Sequence, residues 1–396
     1  MLRFLYIFIS FQIFAGQLMD HFEYIGNEAG IENVRFKINN LELSQDGQEY
    51  KFDYNYTGFI VEEGKPELPI FSTVIEVDPY TSYQLEYEII HSYKEFNKSI
   101  RAASELSLDK NKHEQGLERV LDISKKYPTE FVRIMEPKVM RGIEIIQIEV
   151  IPFQFDPSNQ SLLVIEEIDI KLIPNKIRQP IRKREIPQNQ SFNQILSNTI
   201  LNFSRDEDQN SYYPPKILYI CGGSLATNNS FQQLAEWRHK RGYEVEIVSV
   251  SEIGSSASSI KNYIQNAYND WENPPSFICL VGDATGTYTV PTFHENYSDY
   301  YGEGDHPFSL LDGPDQIPDV SVGRLPVRST ADMATLATKT LVYEKAIDME
   351  DNWHEKAALC SDPYTDSGLS PVITNESIQY IMETAGMEDV RTNFGS

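Results

Sequence analysis

Between Asp283 and Val322 the chain has no lysine or arginine but carries eight carboxylates: Asp283, Glu295, Asp299, Glu303, Asp305, Asp312, Asp315 and Asp319. Like charges this dense repel one another unless something compensates them. The core of the run, Asp312-Gly-Pro-Asp315-Gln-Ile317-Pro-Asp319, alternates carboxylates with backbone bent by glycine and proline. Oxygens on such a loop can converge on one hard cation, and calcium takes about six to eight of them. A solvated acidic loop is the competing reading. His294 and His306 read as surface residues, because calcium rarely takes imidazole.

Nucleophilic chemistry would need a thiol beside a base. The three cysteines, Cys221, Cys279 and Cys360, lie in or at the end of apolar runs, where a free cysteine is usually a small buried hydrophobe. His354 precedes the short run that Cys360 ends. A strand of about five residues would hold the two roughly 15 Å apart, beyond the reach of a base. Ser224 and Ser361 lack a Gly-x-Ser-x-Gly elbow, and Cys221-Gly-Gly-Ser224 lacks the spacing of a phosphate loop. Arg324, after Gly323, reads as the partner of an acidic neighbour. No catalytic residue is assigned from these patterns.

The elements that must position these residues change character along the chain. From residue 17 to 174 the pattern has mostly period two, with strands expected at Val34–Ile38, Tyr50–Tyr54, Ser72–Val77 and Tyr83–Ile90. Gln147–Phe155 and Leu162–Ile173 should face each other across Asp156–Gln160. Residues 100–125 are charged and read as more helical. Residues 175–212 read as a polar basic linker, with Lys176, Arg178, Arg182, Lys183 and Arg184. An exposed basic segment there would admit a trypsin-like protease near Arg182, Lys183 and Arg184; a solvated linker paired with acidic surface is the alternative.

From residue 213 to 396 short β-branched runs alternate with helical stripes. The runs 217–223, 243–250, 277–283, 319–325 and 356–362 read as buried parallel strands. Ile260, Tyr263, Ile264, Ala267, Tyr268 and Trp271 share one helix face. Gly242 should end a helix opened near Phe231, and Ser329 with Asp332 should open a third. A fourth is expected over Ser377–Thr384. Strand–helix alternation implies a parallel sheet covered on both faces, with working groups at the carboxyl ends of its strands.

The chain has 396 residues, with 34 Lys+Arg against 59 Asp+Glu and a net charge of −25. That charge argues against nucleic acid or anionic lipid as partner. Residues 1–16, with Arg3, an apolar run and Ala15-Gly16, have the layout of a signal peptide. No later stretch reaches the ~20 apolar residues of a membrane span. A secreted protein is expected.

FICLVGDATGTYTVP, then SDYYGEGD, then PDVSVGRLPVRST, together with GKPELPIFSTVIEVDP at 64–79, resemble the gingipain family of cysteine peptidases. The resemblance implies a caspase-like α/β three-layer sheet, incomplete at the C-terminus, preceded by a β-rich antiparallel propeptide domain. It implies a secreted cysteine endopeptidase zymogen acting on protein or peptide substrates, released by an activating protease at the linker. Its catalytic histidine, in a His-Gly pair, and its cysteine would fall downstream; none of the seven histidines here is followed by glycine. It also implies structural calcium, with Asp283, Asp315 and Asp319 as carboxylate ligands and Asp312 and Ile317 giving carbonyls. Cleavage specificity does not carry over. A secreted binding protein on the same scaffold is the other reading.

Overall fold

The computed structural model describes residues 21–39, 41–46, 49–52, 58–60, 64–103, 121, 124–182, 185–187, 189–204, 213–297, 300–347, 352–360, 371–387 and 389–393. The signal-peptide reading, Lys183, Arg184 and most of the expected helical stretch 100–125 lie outside these residues.

Twelve strands are described in the N-terminal half. They are β1 (Phe22–Glu28), β2 (Ile31–Lys37), β3 (Leu43–Asp46), β4 (Glu49–Phe52), β5 (Gly58–Phe59), β6 (Pro69–Glu76), β7 (Thr81–Phe96), β8 (Val132–Ile134), β9 (Lys138–Met140), β10 (Ile143–Val150), β11 (Phe153–Asp156) and β12 (Ser161–Ile177). One antiparallel sheet has the order β1-β2-β12-β11 with β7 on the other side of β12; a second has β5-β6-β10-β8 with β9 on β10. Alternating residues of both, such as Phe36, Ile168, Phe71 and Ile148, fill one shared core.

Two expectations for this half are corrected. Gln147–Phe155 is not one strand: the chain leaves the second sheet at Val150 and enters the first at Phe153. Pro152 has no N–H for a ladder, so the crossing falls there. The linker is not free either. It carries α1 (Gln190–Thr199), capped by Asn189, whose side chain accepts from Phe192 N at 3.1 Å. Phe192, Leu196 and Ile200 bury against Ile143 and Ile145 on the outer face of β10. Asn, Gln and Ser around this stripe hide it from a hydrophobicity reading.

In the C-terminal half β13 (Lys216–Cys221), β14 (Glu244–Ser249), β15 (Phe277–Val281) and β18 (Ser321–Leu325) form a parallel sheet in the order β14-β13-β15-β18. Between β15 and β18 lies a hairpin of β16 (Phe293–Tyr297) and β17 (Tyr300–Gly304), inside the run expected to be acidic loop. Leu218, Ile220, Ile278 and Leu280 face one helix, α3 (Ala257–Asp270), through Ile260, Ile264 and Tyr268. Ile217, Tyr219, Cys221 and Val281 face α2 (Asn229–Lys240) and α4 (Thr330–Glu344). The half is a three-layer α/β/α sheet, as read from the strand–helix alternation. Gly242 lies past α2 with φ +89°, and Ser329 caps α4 by accepting from Asp332 N.

The fifth expected strand, β19 (Lys356–Cys360), pairs instead with β20 (Asp389–Asn393) in a separate parallel pair, crossed over by α5 (Pro371–Thr384). Its run is apolar but partly exposed, so apolarity alone did not mark a place in the main sheet.

Glu344 pins α4 to α2, accepting from Trp237 Nε1 at 2.9 Å, Arg238 at 2.7 Å and Arg241 at 3.2 Å. Burial pulls its pKa upward, but the bonds from Trp237 and Arg238 outweigh it and hold the carboxyl below its ordinary value. A carboxyl with a depressed folded pKa stabilises above the ordinary carboxylate range and loses that contribution as pH falls through the folded pKa. Glu344→Gln should therefore melt lower than the parent at neutral pH. The two melting temperatures should converge as pH falls below the ordinary carboxylate range and through the folded pKa; a gap that ignores acidification would contradict the assignment.

Candidate functional site

At the carboxyl end of the sheet, the chain after β15 folds back over the strand ends. Gly282 N donates to Leu325 O at 2.9 Å, and Val290 N donates to Asp283 O at 2.8 Å. Asp283 accepts from Ala284 N at 2.9 Å and pairs with Arg328; that pairing, first among the causes, holds its pKa below the ordinary value. Arg324 forks onto Asp305 at 2.8 Å through both Nε and Nη2, and its Nη1 donates to Gly282 O and Val290 O. The acidic partner expected for Arg324 is thus Asp305. Gly222 and Gly223 lie under residues 287–289, which gives Cys221-Gly-Gly-Ser224 a packing reason.

The three thiols lie apart from one another, Cys221 at the end of β13, Cys279 in the middle of β15 and Cys360 on the separate β19–β20 pair. Cys221 is fully buried, and desolvation raises its pKa; Cys279 is pushed up to about 12, chiefly by burial. Cys360 is exposed at the carboxyl end of β19, whereas His354 precedes that strand in a short turn.

Asp312, Asp315 and Asp319 lie toward the opposite end of the sheet. Phe277 pairs with Ser321 and Val281 with Leu325 in a parallel register. Asp319 comes two residues before that ladder and Asp283 two residues after it. The intervening strand separates them by about 15 Å or more, whereas ligands to one calcium ion lie about 2.3–2.6 Å from it. Asp283 therefore does not join Asp312, Asp315, Ile317 and Asp319 around one ion. Among the described residues no group of three or more His, Cys, Asp or Glu is placed to hold a metal.

Both oxygens of each remaining carboxylate accept from protein donors. Asp312 takes Tyr268 Oη at 2.7 Å and pairs with Arg182. Asp315 takes Ile317 N at 2.8 Å and Val139 N at 2.9 Å. Asp319, fully buried, takes Arg141 N at 2.8 Å on one oxygen and Leu311 N and Asp312 N at 2.7 Å on the other. Desolvation pushes its pKa up to about 7 against the pull of these N–H donors. Ile317 packs beside the Ile143–Phe192–Leu196 cluster of the first half. The expected calcium set does not fit one cation in this arrangement.

Arg141, missed in the sequence, is the centre of this region. It occupies the Arg141-Gly142 turn between β9 and β10, with φ +48° and +80°, the two positive angles of a tight hairpin turn. A non-glycine residue there costs about 1–3 kcal/mol. Its guanidinium is wholly buried, donating to Pro275 O at 3.1 Å, Asp319 O at 3.2 Å and Ser276 Oγ at 3.0 Å, and lies 4.6 Å from the Phe192 ring. Asn189 Nδ2 donates to the same Ser276 hydroxyl. Burial lowers the Arg141 pKa to about 10, still charged at neutral pH. An Arg-Gly step between two apolar strands, KVM-RG-IEII, was the available signal.

A β-sandwich fastened through the buried Arg141 and through Arg182 to the amino end of a three-layer α/β/α sheet makes a two-part chain. Two family profiles match in succession, Propeptide_C25 over residues 22–210 and Peptidase family C25 over residues 210–393. The chain belongs to that family, the gingipain cysteine peptidases. It is 22% identical over 380 residues to Gingipain R1 of Porphyromonas gingivalis, covering 89% of this chain and 37% of that protein. To Lys-gingipain HG66 of the same organism it is 26% identical over 257 residues, covering 62% of this chain and 14% of that protein. The chain thus spans half or less of the first curated relatives it matches, at 37%, 21% and 50% of their lengths. A solved complex of Porphyromonas gingivalis RgpB pro- and mature domains matches with 18% identity and a TM-score of 0.39, covering 46% of this chain and 97% of that one. At that score the likeness has no weight for the fold, which rests on the sheet registers above.

Proposed function

We propose that this chain is the propeptide and scaffold portion of a secreted cysteine endopeptidase precursor acting on protein or peptide substrates. The supporting observation is the unbroken succession of propeptide and peptidase profiles over residues 22–393. In such an enzyme a thiolate attacks the scissile carbonyl and an imidazole protonates the leaving amine. Full burial sets Cys221 aside as that thiolate, Cys279 lies in the middle of a strand paired on both sides, and Cys360 has His354 at the wrong end of its strand. Export is supported by the layout of residues 1–16; among the described residues no helix is long and apolar enough to cross a membrane.

An activating protease belongs to the same proposal. Arg182 does not serve as its entry residue in this form: its side chain is 10% exposed, paired with Asp312 and 4.7 Å from the Tyr268 ring. A trypsin-like enzyme must take an arginine into its own pocket, so this one has to leave Asp312 first.

The product of the whole reading frame, treated with trypsin, should hydrolyse a protein substrate and lose that activity on thiol alkylation. The triple variant Cys221→Ala, Cys279→Ala, Cys360→Ala should keep it. Loss of hydrolysis in Cys360→Ala alone would place the nucleophile in this stretch, and hydrolysis indifferent to alkylation would sink the cysteine mechanism.

A further inference from the structure

We propose that one tip of the β-sandwich is an N-glycosylation site, with a glycan on Asn97 and another on Asn159. Eight Asn-x-Ser/Thr triplets occur in the chain, and in an exported protein each is a candidate acceptor. The transfer joins the side-chain nitrogen to the anomeric carbon of an oligosaccharide carried on a polyprenyl diphosphate. The carbon–oxygen bond to the diphosphate breaks, the diphosphate leaves with the electron pair, and the nitrogen gives up one proton. What remains is a secondary amide with a bulky polar substituent, which a solvent-facing asparagine can carry and a buried one cannot. Transfer precedes folding, so the fold selects which glycosylated chains can reach this structure.

Asn97 and Asn159 meet that demand together. Phe96, the last residue of β7, pairs with Ser161, the first of β12, and Lys98 N donates to Gln160 O at 3.1 Å. The two asparagines therefore sit on adjoining turns, and both are exposed. Asn97 has φ +59°, a left-handed conformation that asparagine tolerates better than most residues. Asn159 accepts from Ser161 N at 3.1 Å through Oδ1, which keeps Nδ2 for solvent. From this tip β12 runs 17 residues to Ile177, about 50 Å along the strand, so glycans here stand clear of the junction with the α/β/α half. They stand beside Phe96, 58% exposed, at the end of a strand that pairs on one side only among the described residues; a sugar there blunts an open edge.

Four other acceptors are used by the fold. Asn189 is 3% exposed, caps α1 through Oδ1 and donates from Nδ2 to Ser276 Oγ. Asn202 accepts from Glu76 N at 2.7 Å and donates to Glu76 O at 2.9 Å. Asn228 caps α2, and Asn375 donates to Cys360 O at 3.0 Å. Asn55 and the side chain of Asn296 lie outside the described residues. A glycan on Asn189 or Asn202 would break a contact bonded through both side-chain atoms, so the folded product leaves these two bare. This inference rests on the export reading above but not on catalysis.

The test secretes the full chain from a eukaryotic host, once behind its own residues 1–16 and once behind a leader of that host. Peptide-N-glycosidase in heavy-oxygen water converts each glycosylated asparagine to a labelled aspartate, and peptide mapping reads the positions. Label is expected at Asn97 and Asn159 and absent at Asn189 and Asn202. Asn97→Asp and Asn159→Asp keep the turn geometry and should each remove the gel shift of one glycan, with both shifts lost in the double variant. If Asn97→Asp is not secreted, Ser99→Ala decides, because it removes the same acceptor triplet with the asparagine in place. An unlabelled Asn97 or Asn159 in the secreted protein overturns the proposal, as does label at Asn189 in protein that melts cooperatively. Glycans at both positions behind the host leader, with no secretion behind residues 1–16, would remove the export reading and leave the sites standing.

Discussion

Gly282→Ala is expected to destabilise the α/β/α half by roughly 3–5 kcal/mol. Gly282 sits at φ +145°, and an added Cβ would fall 2.0 Å from Tyr288 O and 2.9 Å from Val290 Cγ2. The Tyr288 carbonyl cannot retreat toward β13, because a Cβ built on Gly222 would already lie 2.2 Å from it; the two glycines clasp one peptide between neighbouring strand ends. Moving the loop outward would break Val290 N to Asp283 O and disturb Gly282 N to Leu325 O. Gly26 is the control, with φ +138° and nothing within 4 Å of the point where a Cβ would stand. Its alanine variant carries the conformational cost without the collision, about 1 kcal/mol. Urea midpoints of the two variants separate the terms: equal losses would mean that the close approach over the strand ends is not the constraint.

What the sequence discloses depends on how far apart the cooperating residues lie. The stripe Ile260–Ile264–Ala267–Tyr268, the Ser329 cap and the β-branched runs of β13, β14, β15 and β18 are local patterns, and each is found where its spacing puts it. Helix α1 was hidden by its polar neighbours, and β19 looked like core because its residues are apolar. The acidic run was the harder case. Its composition shows that compensation is needed but not by what, since a cation and a buried arginine answer the same charge. Arg141 lies 178 residues from Asp319, and no periodicity joins positions that far apart. The register of β15 with β18 settles the remaining ambiguity by putting Asp283 and Asp319 at opposite ends of the sheet.

Arg324→Met is expected to cost about 3–5 kcal/mol, because it strips the counter-charge from a half-buried carboxylate and leaves two carbonyls short of a donor. Arg324 and Asp305 are 14% and 26% exposed, and the fork between them is made at 2.8 Å on both arms. Thr292 Oγ1 adds a third donor to Asp305 at 2.6 Å. Through Gly282 O and Val290 O the same guanidinium holds the end of β15 and the returning loop, so one side chain staples three segments of the carboxyl edge. Burial pulls the Asp305 pKa upward, but Arg324 and Thr292 more than offset it and hold it below its ordinary value. Its contribution is present above the ordinary carboxylate range and is lost as pH falls through the folded pKa. The gap in urea midpoint between parent and Arg324→Met should therefore be widest near neutrality and shrink on acidification. Arg324→Lys keeps the charge but not the fork or its reach to both carbonyls, so it should recover less than half of the loss. Full recovery by lysine would show that charge alone holds this edge, and a gap that ignores pH would show that Asp305 is not the partner that matters.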